Sequence, residues 1–125
     1  MTDEITLTIP RDRALYSVAY LVLGGLGIRL NLTIEHLEDL QLALEAILER
    51  SHESRDVTIA MSLEEGEMQT RIGPMTDGVR AELSAEEGDD VGLPRILRAL
   101  VDRVEVESDE QGDWVKMTKA VEARA

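Results

Sequence analysis

The sequence predicts an α+β fold, a two-layer sandwich in which helices cover one face of a mixed, mostly antiparallel sheet. Three observations carry that reading. Five short runs alternate apolar and polar residues, three longer stretches repeat their apolar residues with helical period, and the apolar inventory is almost wholly aliphatic. Hydrophobic residues make up 43% of the 125, yet Tyr16, Tyr20 and Trp114 are the whole aromatic complement and Phe is absent. The core must then be built from Leu, Ile, Val, Ala and Met, and the length suits a single domain spanning residues 1–125 with one modest core.

Ile5, Leu7 and Ile9 alternate with threonines before Pro10, which reads as a short strand ended by a residue that cannot extend a ladder. From Arg11 the period becomes helical through Leu15, Val18, Ala19, Val22, Leu23 and Leu26, and Gly24, Gly25 and Gly27 are expected to weaken or end that helix, or to mark close packing. Thr33 is the natural N-cap of a second helix through "IEHLEDLQLALEAILER", with Glu35, Glu38 and Asp39 near the positive end of its dipole. Leu37, Leu40, Leu44 and Ile47 or Leu48 form its apolar stripe, widened by Leu42, Ala43 and Ala46, so it should be central and heavily buried.

Val57 to Leu63 and Met68 to Ile72 alternate on either side of a turn at Gly66, which is a hairpin, and Gly73-Pro74 is expected to stop its second strand. The segment "MTDGVRAELSAEEGDD" reads as a long loop with one short helical turn around Val79 to Leu83. Pro94 fits the first turn of a third helix whose apolar positions are Leu93, Ile96, Leu97, Leu100 and Val101. Val104 and Val106 start a strand, Gly112 turns it, and Trp114 to Thr118 returns.

Charge excludes several function classes. Twenty-six acidic against 13 basic residues give a formal net charge of −13, which repels nucleic acid and anionic lipid, so neither DNA, RNA nor a membrane is an expected partner. With no cysteine there is no disulfide, no thiolate nucleophile and no Cys-ligated metal, and the N-terminus lacks a basic, apolar signal segment. A cytoplasmic location is expected.

Two segments, "LEDLQLALEAILER" and "VGLPRILRALVDRVEVES", together with the element order, resemble the GHKL, or Bergerat-fold, histidine-kinase-like ATPase domain of the anti-sigma-factor serine kinase type. In that family the first segment follows the pattern D-x-x-L-A-x-x-E-A-x-x-N, with a Glu that orients a water for attack on the terminal phosphate and an Asn that holds Mg²⁺, four residues apart on one helix face. The resemblance carries the Glu role to Glu45 and the metal position to Glu49, where Asn is expected. The plainer reading of that pair is two solvated acids on a helix edge, and on so acidic a chain it carries more weight.

The family's first glycine box, D-x-G-x-G, falls on "RIGPMTDG": Gly73-Pro74 stands where the adenine-binding Asp is expected, and Asp77 substitutes only if the loop shifts. In the second, G-x-G, whose amides and following helix cradle phosphate, Asp90-Val91-Gly92 keeps one glycine, followed by Leu93. Asp90 sets a carboxylate against the phosphates, and residues 77–90 supply six acids against Arg80 alone. Asp89 and Asp90 read more simply as helix-capping acids before Pro94. The second segment keeps the packing half of a phosphate-binding unit and has lost the half that would welcome phosphate.

His36 and His52 lie four turns apart and so do not share a metal; "SHESRD" reads as a charged helix end; Met61, Met68, Met75 and Met117 read as core fillers. Tyr16 and Tyr20 form either a core pair or an exposed contact. The expected function is a regulator of the anti-sigma kinase type, without bound nucleotide or other cofactor, that binds a sigma factor or a STAS-domain antagonist. The alternatives are an active, ATP- and Mg²⁺-dependent protein serine kinase with Glu45 as base and Glu49 on the metal, and a ligand-free homodimeric scaffold.

Overall fold

The computed structural model describes residues 4–50, 56–75, 77–84 and 92–121. Five strands form one sheet, β1 (Glu4–Ile9), β2 (Val57–Glu64), β3 (Glu67–Met75), β4 (Arg103–Asp109) and β5 (Gly112–Ala120), in the order β1-β2-β3-β5-β4. Every neighbouring pair is antiparallel. Four helices accompany it: α1 (Tyr16–Leu30), α2 (Ile34–Leu48), α3 (Asp77–Ser84) and α4 (Leu93–Leu100). This is the α+β sandwich that the sequence predicts.

Alternation along the strands decides which face the helices cover. Leu7, Ile9, Val57, Ile59, Met61, Met68, Ile72, Val115 and Met117 share one face and meet Ala19, Leu23, Leu40, Leu44, Ile47, Leu48, Leu93 and Leu97 in a single aliphatic core. The four methionines expected as fillers are all buried there. The opposite face carries Thr6, Thr8, Thr58, Gln69, Arg71, Trp114 and Lys116, with the Thr8 and Thr58 hydroxyls 2.8 Å apart.

Local signals hold at several boundaries. The Thr33 hydroxyl accepts the His36 N–H at 3.0 Å and so caps α2. Glu65 and Gly66 both have positive φ, 52° and 79°, which makes the two-residue β2–β3 turn of the kind that matches strand twist. Pro94 sits in the first turn of α4.

Other expectations need correction. α1 does not end at its glycines; it runs through all three to Leu30, and Asn31, with a left-handed φ of 60° and its N–H on the Gly27 and Ile28 carbonyls, ends it. Gly27 marks close packing as expected, since a Cβ there would lie 2.3 Å from a Leu37 methyl, whereas Gly24 and Gly25 have nothing within 4 Å. Leu42 does not widen the buried stripe of α2 but is half exposed, at 51%. The expected helical turn after β3 is two full turns, α3, and residues 85–91 lie outside the described segments. Nor does β3 stop at Gly73-Pro74: it continues to Met75 across a register shift between Ile72 and Met75. Proline is tolerated in a strand at such an irregularity, and the Pro74 carbonyl accepts a hydrogen bond from the Arg11 guanidinium.

Candidate functional site

One end of the sheet collects most of the residues singled out above. The end of β1, the start of β2, the end of β3, the start of β5 and the end of β4 lie there by register. The chain leaves β1 through Arg11 and Arg13, which reach Pro74 and Glu49 respectively, so that corner ties the end of β3 to the end of α2. Arg50, just past α2, donates to Glu82 of α3 at 3.1 Å. The opposite end of the sheet receives the chain after α4, where Asp102 binds the Thr118 carbonyl and the Ala120 N–H, so α4 points its N-cap, Gly92, back towards the site end.

Glu45 and Glu49 stand one turn apart. Glu45 is half-buried, and its carbonyl accepts the Glu49 N–H at 3.0 Å. Glu49 is the C-cap of α2, its carboxylate 3.1 Å from Arg13. Both acids face Tyr20 of α1. Burial first, and then the negative charge of Glu45 and Glu49, pushes the Tyr20 phenol up to about 12, because ionising it would add a third anion to a partly desolvated corner. Tyr16 is core, so the two tyrosines are not equivalent.

Gly73 lies at this end but faces away from the helix layer. Its Cα lies against the Trp114 indole on the other face of the sheet, where a Cβ would come within 2.6 Å of Cδ2 and 2.8 Å of Cε3. The ring is then covered by the Arg71 guanidinium, 4.9 Å from its centroid. A glycine at 73 is required by a tryptophan 41 positions further on. Asp77 begins α3. Asp90 lies outside the described residues. Gly92 has φ −72°, open to any residue, and an added Cβ would make an ordinary 3.5 Å contact with Pro94, so the fold itself does not demand glycine there. Leu93 is fully buried and serves the core.

Three basic residues here are paired with acids. Arg13 holds Glu49, Arg50 holds Glu82, and Arg80 of α3 binds Asp113 at 3.3 Å and the Ser108 hydroxyl at 2.6 Å. The Ser108 hydroxyl donates to Asp113 at 2.6 Å, and with Arg80 it holds that carboxyl below the usual carboxylate range against the opposing effect of burial. Sequence reasoning missed these three pairs and the Gly73–Trp114 contact. Their partners lie more than thirty positions apart, and no periodic or motif signal links them.

Among the described residues no three His, Asp or Glu side chains gather in a way that could hold a metal ion. His36 is half-buried on α2, and His52 lies outside the described residues. A cavity of about 520 Å³ opens between α3, α4 and β4, lined by Arg80, Leu83, Pro94, Arg98, Val101 and Val104 among others; of the nominated residues, Glu45, Glu49, Gly73, Gly92 and Leu93 do not line it.

No protein-family model matches the chain, and no curated protein matches it. Among solved structures its fold is similar to the crystal structure of the RsbU and RsbW domains of Rv1364c from Mycobacterium tuberculosis, with a TM-score of 0.72 at 14% sequence identity. The match covers 98% of this chain and 34% of that one, so the chain spans about a third of the length of that protein. At that identity the likeness is one of fold: the sheet and helices described above are an arrangement found within that structure of RsbU and RsbW domains.

Proposed function

We propose that this chain is a regulatory protein of the anti-sigma-factor type that works in the cytoplasm by binding another protein, a sigma factor or a STAS-domain antagonist, and that it does so without nucleotide. The fold likeness to an RsbU–RsbW protein and the resemblance of "LEDLQLALEAILER" and "VGLPRILRALVDRVEVES" to the anti-sigma kinase pattern support the type.

The observation that carries the nucleotide-free reading is the pairing of Arg13, Arg50 and Arg80 with Glu49, Glu82 and Asp113. A triphosphate brings several negative charges, and each of these guanidiniums would have to leave a carboxylate to meet it. Glu49, nominated for Mg²⁺, lies 3.1 Å from the Arg13 guanidinium, and the Gly73 Cα lies against the Trp114 indole. A partner with a basic surface has the complementary field for a chain of net charge −13.

Calorimetric titration with ATP and with ADP, in excess Mg²⁺, tests this reading, with Glu45→Ala as control. No saturable heat up to millimolar nucleotide is expected, together with capture of a sigma factor or STAS-domain protein in nucleotide-free buffer. Micromolar binding that Glu45→Ala alters would overturn the reading in favour of an active serine kinase.

A further inference from the structure

The cavity of about 520 Å³ is walled by one face of each of three elements. On α4, Pro94, Arg98 and Val101 recur at intervals of four and three, a stripe distinct from the Leu93 and Leu97 positions that enter the core. On β4 the alternate residues Val104 and Val106 line it, and on α3 Arg80 and Leu83 stand one turn apart beside it. α4 packs against both α2 and α3, and no α2 residue lines the cavity, so it is separate from the corner that holds Glu45 and Glu49. Its volume falls in the range of pockets for small organic molecules, about 300–1,000 Å³.

The walls limit what can enter. Their apolar residues are Leu83, Pro94, Val101, Val104 and Val106; Val101 is buried and the others are half-buried. None is aromatic, so the walls match an aliphatic body and give a flat ring nothing to stack on. Three arginines, Arg80, Arg98 and Arg103, stand here against one acid, Asp102, in a chain with 13 basic and 26 acidic residues. The Asp102 carboxylate accepts the Ala120 N–H at 2.6 Å, Arg80 pairs with Asp113 at 3.3 Å, and Arg103 pairs with Glu67 at 3.8 Å. Arg98 makes no hydrogen bond or ion pair through its side chain among the described residues. A solvated arginine alone needs no explanation, but this one stands at an aliphatic cavity with its guanidinium uncommitted, and so offers one site for one anionic group.

We propose that this cavity binds a small aliphatic acid, a monoanion whose carboxylate pairs with Arg98 and whose saturated body lies against Leu83, Val101, Val104 and Val106. The planar guanidinium fork matches a carboxylate with two parallel hydrogen bonds. A polyphosphate does not fit the same walls, because Arg80 and Arg103 would have to leave Asp113 and Glu67 to meet its further charges. The field of a chain of net charge −13 opposes any anion, so both halves of the ligand are needed: the tail supplies burial of apolar surface, and the head is held only where Arg98 stands. The site lies apart from α2, and the inference does not rest on the nucleotide-free reading above.

The test is a titration of the intact, isotope-labelled chain with octanoate, followed by the NMR shifts of its amide groups. Saturable shifts are expected at Leu83, Arg98, Val101, Val104 and Val106, and none at Glu45 or Glu49. Acetate, which keeps the head, and 1-octanol, which keeps the tail, should each bind at least roughly tenfold more weakly than octanoate. Arg98 is exposed, so Arg98→Ala should leave the circular dichroism melt close to the parent's while weakening octanoate roughly tenfold. Arg95→Ala removes the same charge from an exposed position of the same helix outside the cavity, and should weaken octanoate by less than about twofold. No saturable shift up to several millimolar octanoate, shifts centred on α2, octanol binding as tightly as octanoate, or equal losses in Arg98→Ala and Arg95→Ala would each overturn the inference.

Discussion

Gly73→Ala isolates one contact at the position where the family resemblance places an adenine-binding Asp. The added Cβ would lie 2.6, 2.8 and 2.9 Å from Cδ2, Cε3 and Cγ of Trp114. Non-bonded carbons settle at about 3.5–4.0 Å, so the indole has to move by about 1 Å. These are atoms of a rigid bicycle, 7% exposed and covered by Arg71, so no flexible end can swing aside. Overpacking of this kind costs about 1–3 kcal/mol, and removing a glycine from a strand returns about 0.5–1, leaving a net loss of roughly 1–2 kcal/mol. Urea unfolding followed by the fluorescence of this single tryptophan should show the midpoint falling by roughly 0.5–1 M at an m-value of about 1.5–2 kcal/mol/M. In a Trp114→Val background, where unfolding of both proteins is followed by circular dichroism because the fluorescent ring is gone, the same substitution should cost little. Equal midpoints for Gly73→Ala and parent, or an equal cost in both backgrounds, would refute the claim that Trp114 is the reason for glycine at 73.

Gly27→Ala and Gly24→Ala should act with opposite signs although both sit in α1: the first drives a Cβ into Leu37 and lowers the urea midpoint, while the second has open space and gains up to about 1 kcal/mol. Thr33→Ala removes the hydroxyl that caps α2 and should cost about 1 kcal/mol in the same assay. Tyr20 holds its proton more tightly folded than unfolded, so its contribution is fully present below the ordinary phenol value of 10.0 and is lost as pH rises towards about 12; Tyr20→Phe should flatten the fall in melting temperature over that range, and tyrosinate absorbance should lose its highest-pH step. Asp113 has the opposite sign: its lowered value makes a contribution present at neutral pH and lost on acidification below the usual carboxylate range, so Asp113→Asn should destabilise at neutral pH and converge on the parent in acid.

The sequence by itself determined the class of fold and most of its boundaries, because those depend on short-range physics. Alternation in β2 and β3, the 3.6-residue stripe of α2, the Thr33 cap, the turn at Gly66 and the proline opening α4 each act within a few residues of themselves. Leu93 and the four methionines could be read as core for the same reason, whereas Leu42, equally apolar, lies on a half-exposed side of α2.

The candidate site divided along that line. Glu45 and Glu49 were legible as neighbours because four residues make one helical turn, but whether Glu49 is available to a metal depended on Arg13, 36 positions away. Gly73 was legible as a special position, yet its cause, Trp114, is set by the register of β3 against β5. The glycines of α1 look alike in sequence and differ in the fold, where one touches Leu37 and two touch nothing. Periodicity fixes which residues share a face; only the packed chain decides what that face meets, because contacts between distant segments depend on where whole elements come to lie.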